Sequence, residues 1–444
     1  MKKTVEPMTS GPIWKRMTLF ALPILLGNLF QQLYNTVDSL IVGNYLGSDA
    51  LAAVSSSGSL IFMLIGFLQG VAAGAGIIIA KLFGAEDEEN LEKAVHTTVA
   101  FGLAAGVVMT FIGVMFSPHI LRWMGTPESV MPNSLSYMQI YFGGAMALVM
   151  YNTLVGILQA VGDSRHPLYY LIASSIINLI LDIIFIGFLH TGVGGAAFAT
   201  VISQSVSALL CALQLLTVKD SYRVKISKIR FNIKQLKDII KIGLPSGVQN
   251  SIIAIANVVV QSYVNSFGAI AMAGTGVFAK IEGFGFLPIT SFNLALTTFV
   301  GQNLGAKEYE RTKKGAHFGI LASVISAELI GLIIFLLAPQ LIGAFDPNPE
   351  VIAIGVAKTK VTALFFCLLA YSHAMAAIMR GAGKAIVPMV VMMLFWCIVR
   401  VTFLSVMVPL TKSILAVYWV YPLTWLLSSL AFTYYYRKIN WLRY

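Results

Sequence analysis

Residues 18–43 read TLFALPILLGNLFQQLYNTVDSLIVG. The run is long and apolar enough to cross a bilayer as one helix, for which about 20 residues suffice. Within it stand Asn28, Gln31, Asn35 and Asp38, spaced three, four and three apart, with Tyr34 beside them. At that spacing the four polar residues share one helical face. Polar side chains inside a span can serve to bond neighbouring helices, each contributing about 0.6 kcal/mol. A stripe that ends at a carboxylate is better read as the lining of a polar path. Pro23, at the start of the same helix, permits bending. Thus one segment announces both a membrane span and a polar interior.

The rest of the chain agrees with that reading. Of 444 residues, 57% are hydrophobic and 11% charged, against roughly 25% charged in soluble domains. The mean hydropathy is +0.81. The net charge of +11 does not point to nucleic acid, because the basic residues are scattered between apolar runs. Cys211, Cys367 and Cys397 all lie in apolar runs without a CxxC pair, which gives neither a disulfide framework nor a metal site. The first apolar run lacks the short core and small-residue cleavage site of a signal peptide, and follows the amphipathic start Trp14, Lys15, Arg16. No acidic DDxxD motif for a magnesium-dependent membrane enzyme occurs.

Twelve runs qualify as spans: 18–43, 53–80, 93–116, 134–160, 165–188, 194–217, 239–264, 272–300, 312–337, 355–379, 386–409 and 415–436. The ~10-residue alternating strands of a membrane β-barrel are absent. With both termini in the cytoplasm, 24 of the 30 Lys and Arg fall on the inner side, as the positive-inside bias requires. The predicted fold is an all-α polytopic membrane protein of the cell's cytoplasmic membrane.

The chain also repeats itself. At an offset of 221 residues Gly47 falls on Gly268, Gly84-Ala85 on Gly305-Ala306, His96 on His317, Pro118 on Pro339, Gly162 on Gly383 and Pro167 on Pro388. With one residue of slip, Leu22-Pro23 and Asn28 match Leu244-Pro245 and Asn250. The expected organisation is two pseudo-symmetric six-helix bundles, residues 1–217 and 239–444, joined by a basic cytoplasmic linker, 218–238. An even number of spans per copy inserts both in the same sense, with the relating axis along the membrane normal. Such a duplication suits a carrier that rocks between two states.

An ionisable residue at the centre of a span costs about 2.5–3.5 kcal/mol, so each demands a partner or a use. In the first half the acids well inside spans are Asp38 and Asp182, and no Lys or Arg accompanies them. Counted from the outer helix ends, Asp38, Asp182 and Thr200 lie at one depth, about 8–9 Å down at 1.5 Å per residue. Asn178 is one turn deeper on the face of Asp182. Two carboxylates, an amide and a hydroxyl offer oxygens that suit a hard cation. Two like charges in low dielectric are relieved by taking up a proton or a sodium ion. In the second half Lys280, Glu282, Glu328 and Arg400 sum to zero charge, which reads either as an internally paired structural cluster or as one with a role in transport. Lys280 and Glu282, two apart, cannot face each other. His96 and His317 read as structural; His373 is left without a role.

Particular stretches resemble the multidrug and toxic compound extrusion (MATE) family. They are Val37-Asp38-Ser39-Leu40-Ile41-Val42-Gly43 with Leu46-Gly47, Gly301-Gln302-Asn303-Leu304-Gly305-Ala306-Lys307, and Gln159-Ala160-Val161-Gly162-Asp163 with its counterpart Arg380-Gly381-Ala382-Gly383-Lys384. The resemblance covers essentially the whole chain. It implies two six-helix bundles in a V, exporting organic, often cationic, compounds in exchange for protons or sodium. In one branch of the family a cation site uses an Asp on the first helix, Asn and Asp a turn apart on the fifth, and Thr on the sixth, and these types recur as Asp38, Asn178, Asp182 and Thr200. Another branch carries a carboxylate on the tenth helix, where this chain has Cys367, Tyr371 and His373 and no acid.

Together these readings predict a monomeric, cation-coupled antiporter of small organic compounds. It works in the lipid bilayer without cofactor or nucleic acid, and Asn28, Gln31, Tyr34 and Asn35 line its substrate path. The alternative is a lipid-linked oligosaccharide flippase of related architecture. Extra spans and a basic cavity would mark the flippase, and this first half is net acidic.

Overall fold

A computed structural model of the chain describes residues 7–46, 48–123, 126, 128, 130–439 and 441–442. For residues 39–40, 43–44 and 48–65 it describes the backbone alone. Gly47, used in the repeat alignment, lies outside the described residues. So do the chain ends included in the expected bundle limits.

The described residues form helices and no strands. In the first half these are α1 (Ile13–Leu46), α2 (Ser48–Gly84), α3 (Glu88–Trp123), α4 (Met131–Gly143), α5 (Ala145–Ala160), α6 (Arg165–Asp182) and α7 (Val193–Thr217). In the second half they are α8 (Ile233–Asn265), α9 (Ala269–Gly305), α10 (Tyr309–Leu336), α11 (Ala338–Gly343), α12 (Pro349–Thr362), α13 (Phe366–Gly381), α14 (Ile386–Met392), α15 (Arg400–Thr411) and α16 (Leu415–Lys438). Among the described residues eleven spans are long and apolar enough to cross a membrane, and twelve when α4 and α5, bent by 49°, are taken as one. The multi-pass all-α architecture expected from the sequence is therefore present, with the fourth span broken.

The break has a local cause. An added Cβ at Gly144 would lie 2.3 Å from the Val201 side chain on α7, so only glycine allows the bent turn to pack there. At the same register in the second half a 3₁₀ turn, Ala363–Phe365, lies between α12 and α13, and Pro349–Gly381 remains one continuous span. Element bounds follow the 221-residue offset: Ala145–Ala160 on Phe366–Gly381, Ser48–Gly84 on Ala269–Gly305, and Arg165 on Ile386 as helix starts. Each copy also carries one π-helical stretch, Ile183–Phe188 directly after Asp182 and Met393–Val399 directly before Arg400. Such widened turns cluster at functional sites because they rotate the side chains that follow.

The chain divides into two compact units. The first contains Leu26–Gly247. In it α2 and the start of α8 meet through glycines spaced four apart, Gly70 and Gly74 against Gly243 and Gly247. An added Cβ at Gly70 would stand 2.4 Å from the Gly247 Cα, and one at Gly74 2.4 Å from the Gly243 nitrogen. Small residues at this spacing let two backbones touch, a leading source of helix association in lipid. The segment after α7 is fastened to α3. Lys225 and Lys228 each pair with Glu92 at 2.9 and 2.8 Å, the Lys225 N–H donates to His96 Nε2 at 2.9 Å, and the Asn232 N–H donates to Thr97 Oγ1 at 3.1 Å.

The second unit contains Met8–Leu25 and Val248–Tyr444. Its core runs through Phe299, Phe366, Trp425 and Phe432 and takes in Met8, Met17 and Phe20 from the chain's start. Polar residues hold that start in place. The Met8 N–H donates to Gln302 Oε1 at 2.8 Å, and Arg311 donates to the carbonyls of Met8, Ser10 and Gly11 at 3.0, 3.1 and 2.8 Å. Gln302 and Asn303 of the Gly301–Lys307 motif thus work as an anchor, Asn303 donating to Met8 O at 3.3 Å.

Candidate functional site

In the first unit α1 and α6 bring the carboxylates of Asp38 and Asp182 together, close enough to share a hydrogen bond. Asp182 is 1% exposed and Asn178, one turn earlier on α6, is 2% exposed. Among the described residues neither acid pairs with a Lys or Arg. Asp38 Oδ1, both Asp182 carboxylate oxygens and Gln204 Oε1 are buried acceptors without a hydrogen-bond partner, and Asn178 Nδ2 is a buried donor without one. A half-turn of the Asn178 amide exchanges its nitrogen for its oxygen. Native proteins leave few buried polar atoms unsatisfied, so such a concentration singles these residues out as a candidate site.

Two unit charges about 4 Å apart repel by about 4 kcal/mol at an effective dielectric of 20. A single cation between them turns that repulsion into attraction. A proton shared by the carboxylates does so, and so does a sodium ion held by their oxygens. Thr200, half-buried on α7, donates its hydroxyl hydrogen to Ala196 O at 3.0 Å, which leaves its oxygen as an acceptor. It shares a face of α7 with Gln204, four residues on.

The stripe on α1 divides. The Tyr34 hydroxyl lies close to the side chains of Gln31 and Gln204 and within electrostatic reach of both acids. Asn28 is half-buried, whereas Asn35 is exposed. Two further residues belong to this neighbourhood and were not legible in sequence. Tyr137 on α4 is buried within electrostatic reach of Asp38, Asp182 and Tyr34, and Gln204 reaches Tyr34 from α7. The only hint was that each falls within a predicted span.

The four charged residues of the second half do not assemble. The Lys280 ammonium lies 5.8 Å from the centre of the Phe345 ring. Glu328 Oε2 accepts the Cys367 N–H at 2.8 Å, satisfying the first turn of α13. Glu282 instead lies within electrostatic reach of Arg400 and of Lys358 on α12. Lys358 reads from sequence as lying near an outer helix end, yet it is 5% exposed. The helix begins at Pro349, six residues before the predicted span, so Lys358 is drawn into the interior. His373 packs edge-on against Phe286 and Trp396, each ring centre 5.2 Å away.

Fold and site together define a multi-pass helical membrane protein with a duplicated bundle and an acidic, oxygen-rich centre in its first unit. Comparison with known proteins gives its family. The sequence model of the MatE family matches twice, over residues 23–184 and 245–406, once for each copy of the repeat. The chain is 32% identical to the probable multidrug resistance protein YoeA of Bacillus subtilis, covering 99% of this chain and 98% of that one. It is 23% identical to the multidrug export protein MepA of Staphylococcus aureus, over 84% and 83% of the two chains. Its fold superposes on a MOP superfamily transporter from Pyrococcus furiosus with a TM-score of 0.92, at 25% identity and 99% coverage of both. The chain belongs to the MatE family of multi-pass membrane efflux transporters, whose substrates are small molecules.

Proposed function

We propose that the chain exports small organic compounds, cationic or amphipathic, in exchange for a proton or a sodium ion. The observation that carries this reading is the Asp38–Asp182 pair, two carboxylates within reach of one another and of no basic side chain among the described residues. In the proposed cycle a cation loads at Asp38, Asn178, Asp182 and Thr200 from the outer side. Loading shifts α1, displaces the compound held along Asn28, Gln31, Tyr34 and Asn35, and favours return to the inward-open state.

One charge crossing 100 mV supplies about 2.3 kcal/mol, which sustains a roughly 50-fold gradient of a neutral solute. A cationic solute needs a second ion or a pH gradient to reach as far. The protein acts as a monomer in the cytoplasmic membrane, with both termini on the cytoplasmic side. The flippase alternative finds no support in the curated relatives, which are named for multidrug resistance and export.

The test is efflux of a fluorescent organic cation from proteoliposomes, with pH and sodium gradients imposed separately. One of the two gradients should drive export by the wild type and fail to drive it in Asp38→Asn. Gradient-driven export by a well-folded Asp38→Asn protein would contradict the proposal.

A further inference from the structure

The enclosed charges around Arg400 do not neutralise one another. Lys358 and Arg400 are almost fully enclosed, and half-buried Glu282 lies within electrostatic reach of both. None of the three forms an ion pair with another. The Arg400 guanidinium makes one hydrogen bond, from Nη2 to Thr424 Oγ1 at 3.0 Å, and its buried Nε has no partner. What the cations have instead is aromatic faces. The Lys358 ammonium lies 4.9 Å from the Phe278 ring centre and 5.3 Å from that of Tyr421. Arg400 lies 4.7 Å from Tyr421 and 5.5 Å from Trp396. Around Tyr421 and Glu282, two cations and one carboxylate leave a local excess of one positive charge.

The internal repeat sharpens this contrast. At the 221-residue offset Lys358 occupies the position of Tyr137, and Tyr421 that of Thr200. Both first-copy residues belong to the neighbourhood of the acid pair or to the proposed cation site. The matched regions of the two copies therefore differ in charge, two carboxylates in the first against two cations and one carboxylate in the second.

We infer that Lys358 and Arg400 form a binding site for the carboxylate of a small aromatic acid. The inference rests on the export reading above and extends its substrates beyond cations. A planar guanidinium with a free Nε–H presents donors in the fork that carboxylates accept. The ammonium adds a second charged donor, and Phe278, Tyr421 and Trp396 supply surfaces for the ring. Glu282 opposes a second negative charge, so the site takes monoanions and zwitterions in preference to dianions.

Anthranilate, a fluorescent aromatic monocarboxylate, tests this. Its binding to the purified full-length protein is followed by energy transfer from tryptophan, with its neutral methyl ester as control. The wild type is expected to bind the acid and not the ester. Lys358→Gln and Arg400→Gln should each weaken binding at least tenfold, the loss that follows removal of one charge-assisted hydrogen bond. Glu282→Gln should tighten it, a gain that misfolding does not produce. Equal binding of acid and ester, or unchanged affinity in both cation variants, overturns the inference. The measurement needs no ion gradient, so its outcome is independent of whether export is cation-coupled.

Discussion

Replacing Gly74 by alanine probes the contact that joins α2 to the start of α8. The added Cβ would stand 2.4 Å from the Gly243 nitrogen, 2.5 Å from its Cα and 2.9 Å from Ile239 O. All three neighbours are backbone, so no rotamer change relieves the overlap. Ordinary contact begins near 3.4 Å, which obliges the helices to part by about 1 Å. A radial gap of about 1 Å forfeits up to about half of the dispersion energy of each facing atom pair. The neighbouring Gly70–Gly247 contact opens with it. Overpacking of this kind costs about 1–3 kcal/mol, and a rigid backbone neighbour places it at the upper end. For a unit of this size that lowers the melting temperature by about 6–12 °C. Gly156→Ala on α5 is the control, since a methyl there meets nothing within 4 Å. Thermal unfolding of both variants in the same detergent is the assay. A Gly74→Ala protein that melts with the wild type would refute the close-packing argument.

Two further outcomes follow from single contacts. Arg311→Ala removes the donors to Met8, Ser10 and Gly11, and should cost about 2 kcal/mol. Hydrogen exchange at residues 8–11 should rise while α9 stays protected, and unchanged exchange would show that the anchor lies elsewhere. Thr200→Val keeps the shape of the side chain but removes an acceptor oxygen beside Gln204. Sodium-driven export should weaken at least tenfold if sodium is the ion, whereas proton-driven export should persist. An unaltered sodium dependence in that variant would remove Thr200 from the site.

The spans and their duplication were legible because lipid imposes a length and because glycines and prolines mark helix ends in both copies. Asp38 and Asp182 were legible as a pair because depth follows from counting residues along a helix. Counting gives no azimuth, however. Glu328 shares the depth of Glu282 yet points to Cys367, and Lys280 points to Phe345. Lys358 read as lying near an outer helix end because α12 starts earlier than hydropathy indicates, at a proline preceded by an Asn348 cap that accepts the Glu350 N–H. The bend at Gly144 depends on its close contact with Val201, distant in sequence, which a local pattern does not encode. The Gly70–Gly74 and Gly243–Gly247 pairs stood in the sequence, but only the structure shows that they face each other.

The central claim is that Asp38 and Asp182 together hold one exchangeable cation. Infrared difference spectroscopy of the purified protein, recorded on changing pH or adding sodium, observes these carboxyl groups directly. The expected result is a protonated carboxyl band that vanishes at high pH or is displaced by sodium, and that is absent from the Asp38→Asn, Asp182→Asn double variant. Spectra showing both carboxylates ionised throughout, with no response to either cation, would contradict it.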